Sequence, residues 1–394
     1  MAEDFSGSDP ITLRQVEAVA KRKLPHNIYS YYSGGADDET TVKRNRTDFD
    51  SLFILPRVLR DVSNIDTSTE LFNNKLPIPV GIAPSAMQRL AGFEGELDVA
   101  RAACSMGLNL TLSTNSTTSL EEVIAVRQPN SSKSATPFWF QLYVAKNPEL
   151  SLPIIRRAEA AGYEALVLTV DTPVLGNRVH ERQTPLVLPE GLHLANIEQA
   201  YTQNPGKPTS NRILMDARTA ADAKDILRVV GDGINSSSLT WASTIKFLRQ
   251  NSKMKIILKG IMAPEDALLA VEYGADAIIV SNHGGRQLDS VPSTIQALPA
   301  VVEAVDRRIP VILDGGIRHG SDIFKALAMG ANFVLVGRPI LWGLAFNGQK
   351  GVETVINILE REMSRTMALT GTASLRDINS SYLRISKGGR LSKI

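Results

Sequence analysis

Eight short apolar runs, each closing in a polar or glycine-containing turn, recur along the chain, and this rhythm limits the fold more than any other feature. The first four are 79–83 (PVGIA), 108–113 (LNLTLS), 138–142 (FWFQL) and 165–170 (ALVLTV). After a long interval come 255–259 (KIILK), 277–280 (AIIV), 310–314 (PVILD) and 333–337 (FVLVG). Short continuous runs rich in β-branched residues read as strands buried on both faces, which parallel sheets require. Segments such as 153–161, 264–273 and 321–329 between them suit helices, and each is ended by a glycine, at Gly162, Gly274 and Gly330. Eight strand–helix units over roughly 260 residues predict an α/β protein with a closed (β/α)₈ TIM barrel, rather than an open doubly wound sheet.

On this reading the barrel spans about residues 75–345. An N-terminal helical cap, 1–74, precedes it; there Ile28 to Tyr32 delivers tyrosines just before Gly34-Gly35, and Tyr29 and Tyr32 read as core filling. The rhythm breaks between the fourth and fifth strands. The long stretch at about 179–240 contains Pro185, Pro189, Pro205 and Pro208, and reads as an active-site lid loop. A helix over 351–367 and a basic tail from Lys387 occupy the C-terminal part, 346–394. No domain boundary interrupts the barrel, so the whole chain, 1–394, reads as one domain.

Composition excludes several classes of function. A net charge of +2 aims no strong field at nucleic acid or at a membrane surface. The one cysteine, Cys104, rules out an internal disulfide and a thiolate cluster, and the five histidines form no HxxxH pair, so no metal is expected. MAEDFSGSDP at the start is too polar for a signal peptide, and no apolar run approaches the ~20 residues of a membrane helix.

In a barrel the carboxyl ends of the strands meet in one space, and here they carry an unusual set. It comprises Ser113, Gln141, Tyr143, Thr169, Asp171, Arg178, Lys259, Ser281, His283, Arg286, Asp314, Gly315, Gly316, Arg318, Gly337 and Arg338. The glycines and arginines after the last two strands read as a phosphate site, because glycine lets backbone N–H groups approach an anion. No GxGxxG follows the first strand and no GxxxxGK[ST] occurs, which argues against Rossmann and P-loop sites. Gln141, Thr169 and Lys259 suit a flat, polar-edged cofactor lying across the mouth. From residue types alone, Lys259 is either a cation against a ring that becomes anionic on reduction or a Schiff-base lysine. His283 with Asp171 makes a base with an orienting carboxylate. Arg178 and Arg286 are forks for a substrate carboxylate, with Tyr31 and Tyr143 as hydroxyl donors.

The segments SNHGGRQLD (281–289), LTVDTPVLGNR (168–178), DGGIRHGSDIFKALAMGA (314–331) and VGRP (336–339) closely resemble the FMN-dependent α-hydroxy-acid oxidase/dehydrogenase family. Matching stretches run from KLPHNIYSYYSGGADDE to MALTGTASLRDI, nearly the whole chain. The resemblance implies FMN as cofactor, His283 as catalytic base held by Asp171, and Tyr31, Arg178 and Arg286 on the substrate carboxylate, with Tyr143 near its hydroxyl. It implies Ala83, Ser85, Ser113, Gln141, Thr169 and Lys259 around the flavin ring, which decides the lysine question in favour of flavin stabilisation. Ser281, Asp314, Gly315, Gly316, Arg318, Gly337 and Arg338 would then meet the ribityl and phosphate groups.

Two positions depart from the family pattern. Asn115 stands where glycolate oxidases have a pocket-lining tryptophan, which implies a different or larger substrate side chain. Ser85 replaces a threonine and keeps its hydroxyl, while Ala86 is the small residue of the oxidases.

The expected activity is oxidation of an (S)-2-hydroxy acid to the 2-oxo acid, with the flavin reoxidised by O₂ to give H₂O₂. The alternatives are transfer of electrons to a quinone or cytochrome, and a catalytically silent flavin-binding protein. The family habit implies a homotetramer. Ser392-Lys393-Ile394 resembles the peroxisomal S-K-L signal, so the expected compartment is cytoplasm or peroxisome.

Overall fold

The computed structural model describes residues 9–127, 136–184, 186–197, 236–387 and 390–392. All eight expected strands form, as β1 (Val80–Ile82), β2 (Leu110–Leu112), β3 (Phe138–Leu142), β4 (Ala165–Thr169), β5 (Lys255–Ile261), β6 (Ala277–Val280), β7 (Val311–Asp314) and β8 (Phe333–Val336). They pair in sequence order, every pair parallel, and β8 closes on β1 with Leu335 opposite Gly81 and Val336 opposite Ile82. The architecture is the (β/α)₈ barrel that the rhythm predicts.

Alternation along each strand divides the core in two. Leu166 and Leu168 of β4 face outward into the large cluster between sheet and helices, while Ala165 and Val167 face inward with Trp139, Ile257, Ile279, Ile312 and Leu335. The barrel is therefore a packed body, and each fully buried large side chain stabilises it by about 1.5–3 kcal/mol. A hairpin of Thr69–Leu71 and Asn74–Leu76 seals the end where the strands begin. Its Leu71 and Leu76 join the inner cluster, and Phe72 meets Trp139 edge-on at 5.9 Å. The hairpin straddles the expected cap–barrel boundary near residue 75.

The cap contains α1 (Leu13–Lys23), α2 (His26–Ser33) and α3 (Thr40–Thr47). Thr12 and Gln15 form a capping box at the start of α1, whose apolar face of Leu13, Val16 and Ala20 is buried. Asp289 accepts hydrogen bonds from the backbone N–H groups of Thr40 and Thr41, which ties α3 to the loop after β6. The start of the expected lid folds as a short helix, α4 (Val179–Gln183); residues 198–235 of that loop lie outside the described residues.

Two features differ from expectation. The last helix, α5, runs over Arg338–Thr370 rather than 351–367. It starts directly on the β8 turn with Pro339 in its first turn, and is kinked at Asn347 (φ −160°) and Gly348 (φ 53°), the break that conceals its first half in the sequence. The tail is not a simple extension either. Leu383–Lys387 pairs with Leu52–Ile54 and with Arg390–Ser392 in a three-stranded antiparallel sheet. Lys393 and Ile394, the last two residues of the peroxisome-like tripeptide, lie outside the described residues.

Candidate active site

At the carboxyl ends of the strands a cavity of about 200 Å³ opens beneath α2 and the start of α4. Its wall includes Tyr31, Ala83, Ser85, Ser113, Gln141, Tyr143, Thr169, Arg178, Lys259, His283, Arg286, Asp314, Gly315, Gly316, Arg318, Gly337 and Arg338. Two of the expected residues stand behind that wall. Ser281 is fully buried; its hydroxyl accepts from the Lys259 ammonium at 3.0 Å and from the His283 backbone N–H at 3.2 Å. Asp171 backs His283.

His283 sits just past β6 in a tight turn, with φ at +56°. A non-glycine residue there costs about 1–3 kcal/mol of backbone strain, borne because neighbouring contacts over-determine the turn. Asp171 enters from the end of β4, and its Oδ1 lies 2.9 Å from His283 Nδ1. Gly260, at the β5 bulge with φ +111°, makes room: a Cβ there would come within 2.7 Å of the Asp171 Cβ. Burial pushes the His283 imidazole below its ordinary pKa, with Asp171 opposing and Lys259 assisting, so the ring rests neutral at neutral pH. Burial alone would raise Asp171, but the charge and hydrogen bond of His283 bring its carboxyl below the usual range. A neutral imidazole whose Nδ1 is engaged by a carboxylate presents Nε2 as a base.

Arg178 and Arg286 converge from different elements. Arg178, just before α4, donates to the Arg286 carbonyl at 3.3 Å and to Gln287 Oε1 at 3.5 Å. Arg286 donates through Nη1 to the carbonyls of Tyr31 (2.5 Å) and Gly34 (3.0 Å), and its Cζ lies 5.0 Å from the Tyr31 ring centroid. Burial raises both the Tyr31 and Tyr143 hydroxyls, so each is a protonated donor at neutral pH. Around the cavity floor, Gln141 links β2 to β4: its Oε1 accepts from the Thr114 backbone N–H at 3.1 Å, and its Nε2 donates to Thr169 Oγ1 at 3.0 Å. Lys259 lies 3.5 Å from Asp314 Oδ2. Asn115 forms part of the wall, and its side-chain oxygen is buried without a hydrogen-bond partner among the described residues.

The opposite end of the cavity has the makings of an anion site. Arg318 and Arg338 have no carboxylate within ion-pair distance among the described residues, and Arg318 Nε is buried without a partner. Burial, then the neighbouring guanidiniums Arg286, Arg318 and Arg46, push Arg338 down to about 9. Burial and Arg46 push Arg318 down to about 10, so both remain cations at neutral pH. Gly316, at φ +86°, cannot be replaced by a larger residue: a Cβ would fall 1.8 Å from the Asn45 carbonyl oxygen on α3. Buried cations with an orphaned donor, beside glycine backbone, fit a phosphate group.

Three contributors escape the sequence reading. Tyr32 fills core, as expected, but also lines the cavity, and its hydroxyl donates to the Met87 carbonyl at 2.6 Å. Gln287 ties the Asp171 and Val174 carbonyls together at 2.9 Å each, bracing the loop that presents Asp171. Glu181 bridges Arg178 and Arg286, and its spacing three residues after Arg178 on a helical segment was the available signal. Among the described residues no cluster of His, Cys, Asp and Glu could hold a metal, and no helix is long and apolar enough to cross a membrane.

Comparison with known proteins gives a consistent answer. Residues 20–385 match the family model described as FMN-dependent dehydrogenase. The chain is 46% identical over 379 residues to an L-lactate oxidase of Nostoc sp., covering 96% of this chain and 99% of that protein. It is 43% identical over 371 residues to a glycolate oxidase of Spinacia oleracea, covering 94% and 95%. Among solved structures, a mandelate oxidase with (S)-4-hydroxymandelic acid matches with a TM-score of 0.83 at 37% identity, covering 98% of this chain and all (100%) of that one.

Proposed function

The chain belongs to the FMN-dependent dehydrogenase family, and from that premise we propose how its residues oxidise an (S)-2-hydroxy acid to the 2-oxo acid as a single functional domain. The activity is FMN-dependent oxidation of a 2-hydroxy acid with O₂ as electron acceptor, in keeping with relatives named as lactate, glycolate and 2-hydroxyacid oxidases. Bound FMN supplies a two-electron acceptor that O₂ reoxidises, with release of H₂O₂. Arg318, Arg338 and the Gly315-Gly316 backbone would hold its phosphate, with Ser281 and Asp314 supporting the ribityl side and Gly337 leaving space. Ala83, Ser85, Ser113, Gln141, Thr169 and Lys259 would surround the ring, and the Lys259 ammonium would favour negative charge there.

The observation that carries the reading is the shared cavity: a neutral, carboxylate-backed imidazole and two guanidiniums line the same space as the candidate phosphate site. Arg178 and Arg286 bind the substrate carboxylate, and the Tyr31 and Tyr143 hydroxyls donate to its oxygens. His283 Nε2 takes one proton from the substrate, and Asp171 stabilises the resulting imidazolium. Asn115 widens and polarises the wall on the side-chain side, which favours a substrate larger than glycolate.

Anaerobic mixing of the yellow holoprotein with a panel of aliphatic and aromatic (S)-2-hydroxy acids tests this. The expected result is bleaching of the flavin, and H₂O₂ in proportion to substrate once air is admitted. Fast reoxidation by a quinone or cytochrome with none by O₂ would favour the dehydrogenase alternative, and no bleaching by any acid would end the catalytic reading. The proposal extends to a homotetramer, checked by light scattering. It also extends to peroxisomal delivery through Ser392-Lys393-Ile394, checked by imaging a fluorescent fusion with and without that tripeptide.

A further inference from the structure

Among the described residues Glu181 is the one acidic side chain placed between the two guanidiniums, and the function above gives it no task. A single oxygen, Oε1, lies 3.2 Å from Arg178 Nη1 and 2.9 Å from Arg286 Nη2. The carboxylate is 12% exposed and the two guanidiniums 10% and 14%, so water screens these contacts weakly. Building on the hydroxy-acid reading, we propose that Glu181 is a positioning and specificity-determining residue that sets the charge of the anion subsite and so restricts the substrate to monocarboxylates.

Charge and donor number lead to the same conclusion. Arg178 and Arg286 bring two positive charges, and Glu181 returns one negative, which leaves an excess of one to meet one substrate carboxylate. Arg338 donates to the same Gly34 carbonyl as Arg286, but its charge and that of Arg318 are assigned to the cofactor phosphate. Lys259 is balanced by Asp314, and Asp171 behind His283 adds a negative charge that repels a second carboxylate. A guanidinium has five N–H donors. On Arg286, two on Nη1 serve the Tyr31 and Gly34 carbonyls, and one on Nη2 serves Glu181. One on Nε and one on Nη2 remain, the number a single carboxylate takes in a bidentate fork.

Glu181 lies on α4, the first turn of the long loop after β4, so the same contact fastens the base of that loop to the anion subsite. An apolar side chain at this position would leave both guanidiniums free to take a two-carboxylate ligand. A glutamate keeps one of those places filled from within the chain.

The test compares (S)-2-hydroxybutanoate with (S)-2-hydroxysuccinate, of equal carbon number but differing by one carboxylate, in wild type, Glu181→Gln and Glu181→Asp holoproteins. Binding of the unreactive pair butanoate and succinate, followed through the flavin absorbance, gives a second readout independent of turnover. In Glu181→Gln, kcat/KM for 2-hydroxysuccinate should rise while that for 2-hydroxybutanoate falls. The ratio should shift by at least about tenfold, and succinate binding should tighten relative to butanoate, since removing a like charge relieves repulsion. Glu181→Asp, which keeps the charge, should keep the wild-type preference. Equal loss on both substrates in Glu181→Gln, or the same shift in Glu181→Asp, would reduce Glu181 to a structural brace and overturn the proposal. A wild-type flavin bleached by no 2-hydroxy acid would instead sink the functional reading, and the butanoate–succinate titration would still report the charge of the subsite.

Discussion

His283 Nδ1 and Asp171 Oδ1 lie 2.9 Å apart although 112 residues separate them in the chain. The pair exists because β4 and β6 end on the same side of the barrel and the Gly260 bulge of β5, between them, admits the Asp171 side chain.

The pair predicts both the size and the pH dependence of the reaction. His283→Ala should keep its yellow colour yet lose about 10²–10⁴-fold in anaerobic bleaching rate, the usual contribution of a general base. In wild type, kcat/KM should fall as pH drops through the His283 pKa, which burial places below its ordinary value of 6.5. Asp171 opposes that lowering, so Asp171→Asn should move the acid limb to still lower pH while reducing the plateau. A pH–rate profile in which the limb moves upward would contradict the assignment.

Arg318 should read the phosphate and not the ring. Its buried Nε has no partner among the described residues, so Arg318→Met removes a charge-assisted bond that only a phosphate-bearing ligand would complete. Such bonds contribute roughly 1.5–3 kcal/mol, which is about ten- to a hundredfold in affinity. Fluorescence titration of the apoprotein should show that loss for FMN and little change for riboflavin.

Gly316→Ala should strike the same end of the cofactor through the backbone. The new Cβ would meet the Asn45 carbonyl at 1.8 Å, and alanine resists φ near +86°, so the loop after β7 or α3 must shift. A cost of about 1–3 kcal/mol follows from the backbone alone. FMN retention on gel filtration should drop by roughly tenfold or more in proportion.

Lys259 and Asp314 form a buried pair, with side chains 6% and 9% exposed at 3.5 Å. Lys259→Met should destabilise the fold by about 3–5 kcal/mol in urea unfolding, because it strands a buried carboxylate. Adding Asp314→Leu should recover part of that stability while flavin bleaching stays slow. Recovery of stability together with full bleaching would show that the ammonium has no part in the chemistry.

The barrel was readable because each strand is buried on both faces and so carries its own apolar signature, as in ALVLT and AIIV. The terminal sheet was not readable, since Leu52–Ile54 finds its partner Leu383–Lys387 far away in the chain, and the Thr69–Leu76 hairpin was not because TEL and NKL carry no apolar run. The first half of α5 was hidden by Asn347-Gly348, a turn signal that here only kinks a continuing helix. Candidate site residues were legible as types at strand ends. The support of His283 by Asp171 was legible in the same way, but the place of Ser281 behind the wall, under Lys259 and His283, was not.

Periodicity and residue chemistry by themselves determined how many strands the barrel has and which side chains gather at their ends, because both are local properties of the polypeptide. Only the closed barrel decided which donors and charges are already satisfied within the chain. Glu181 takes up part of Arg286 as well as of Arg178, while Arg318 keeps a Nε without a partner among the described residues, and neither fact can be read from spacing alone, since both depend on distances between residues that the fold alone brings together.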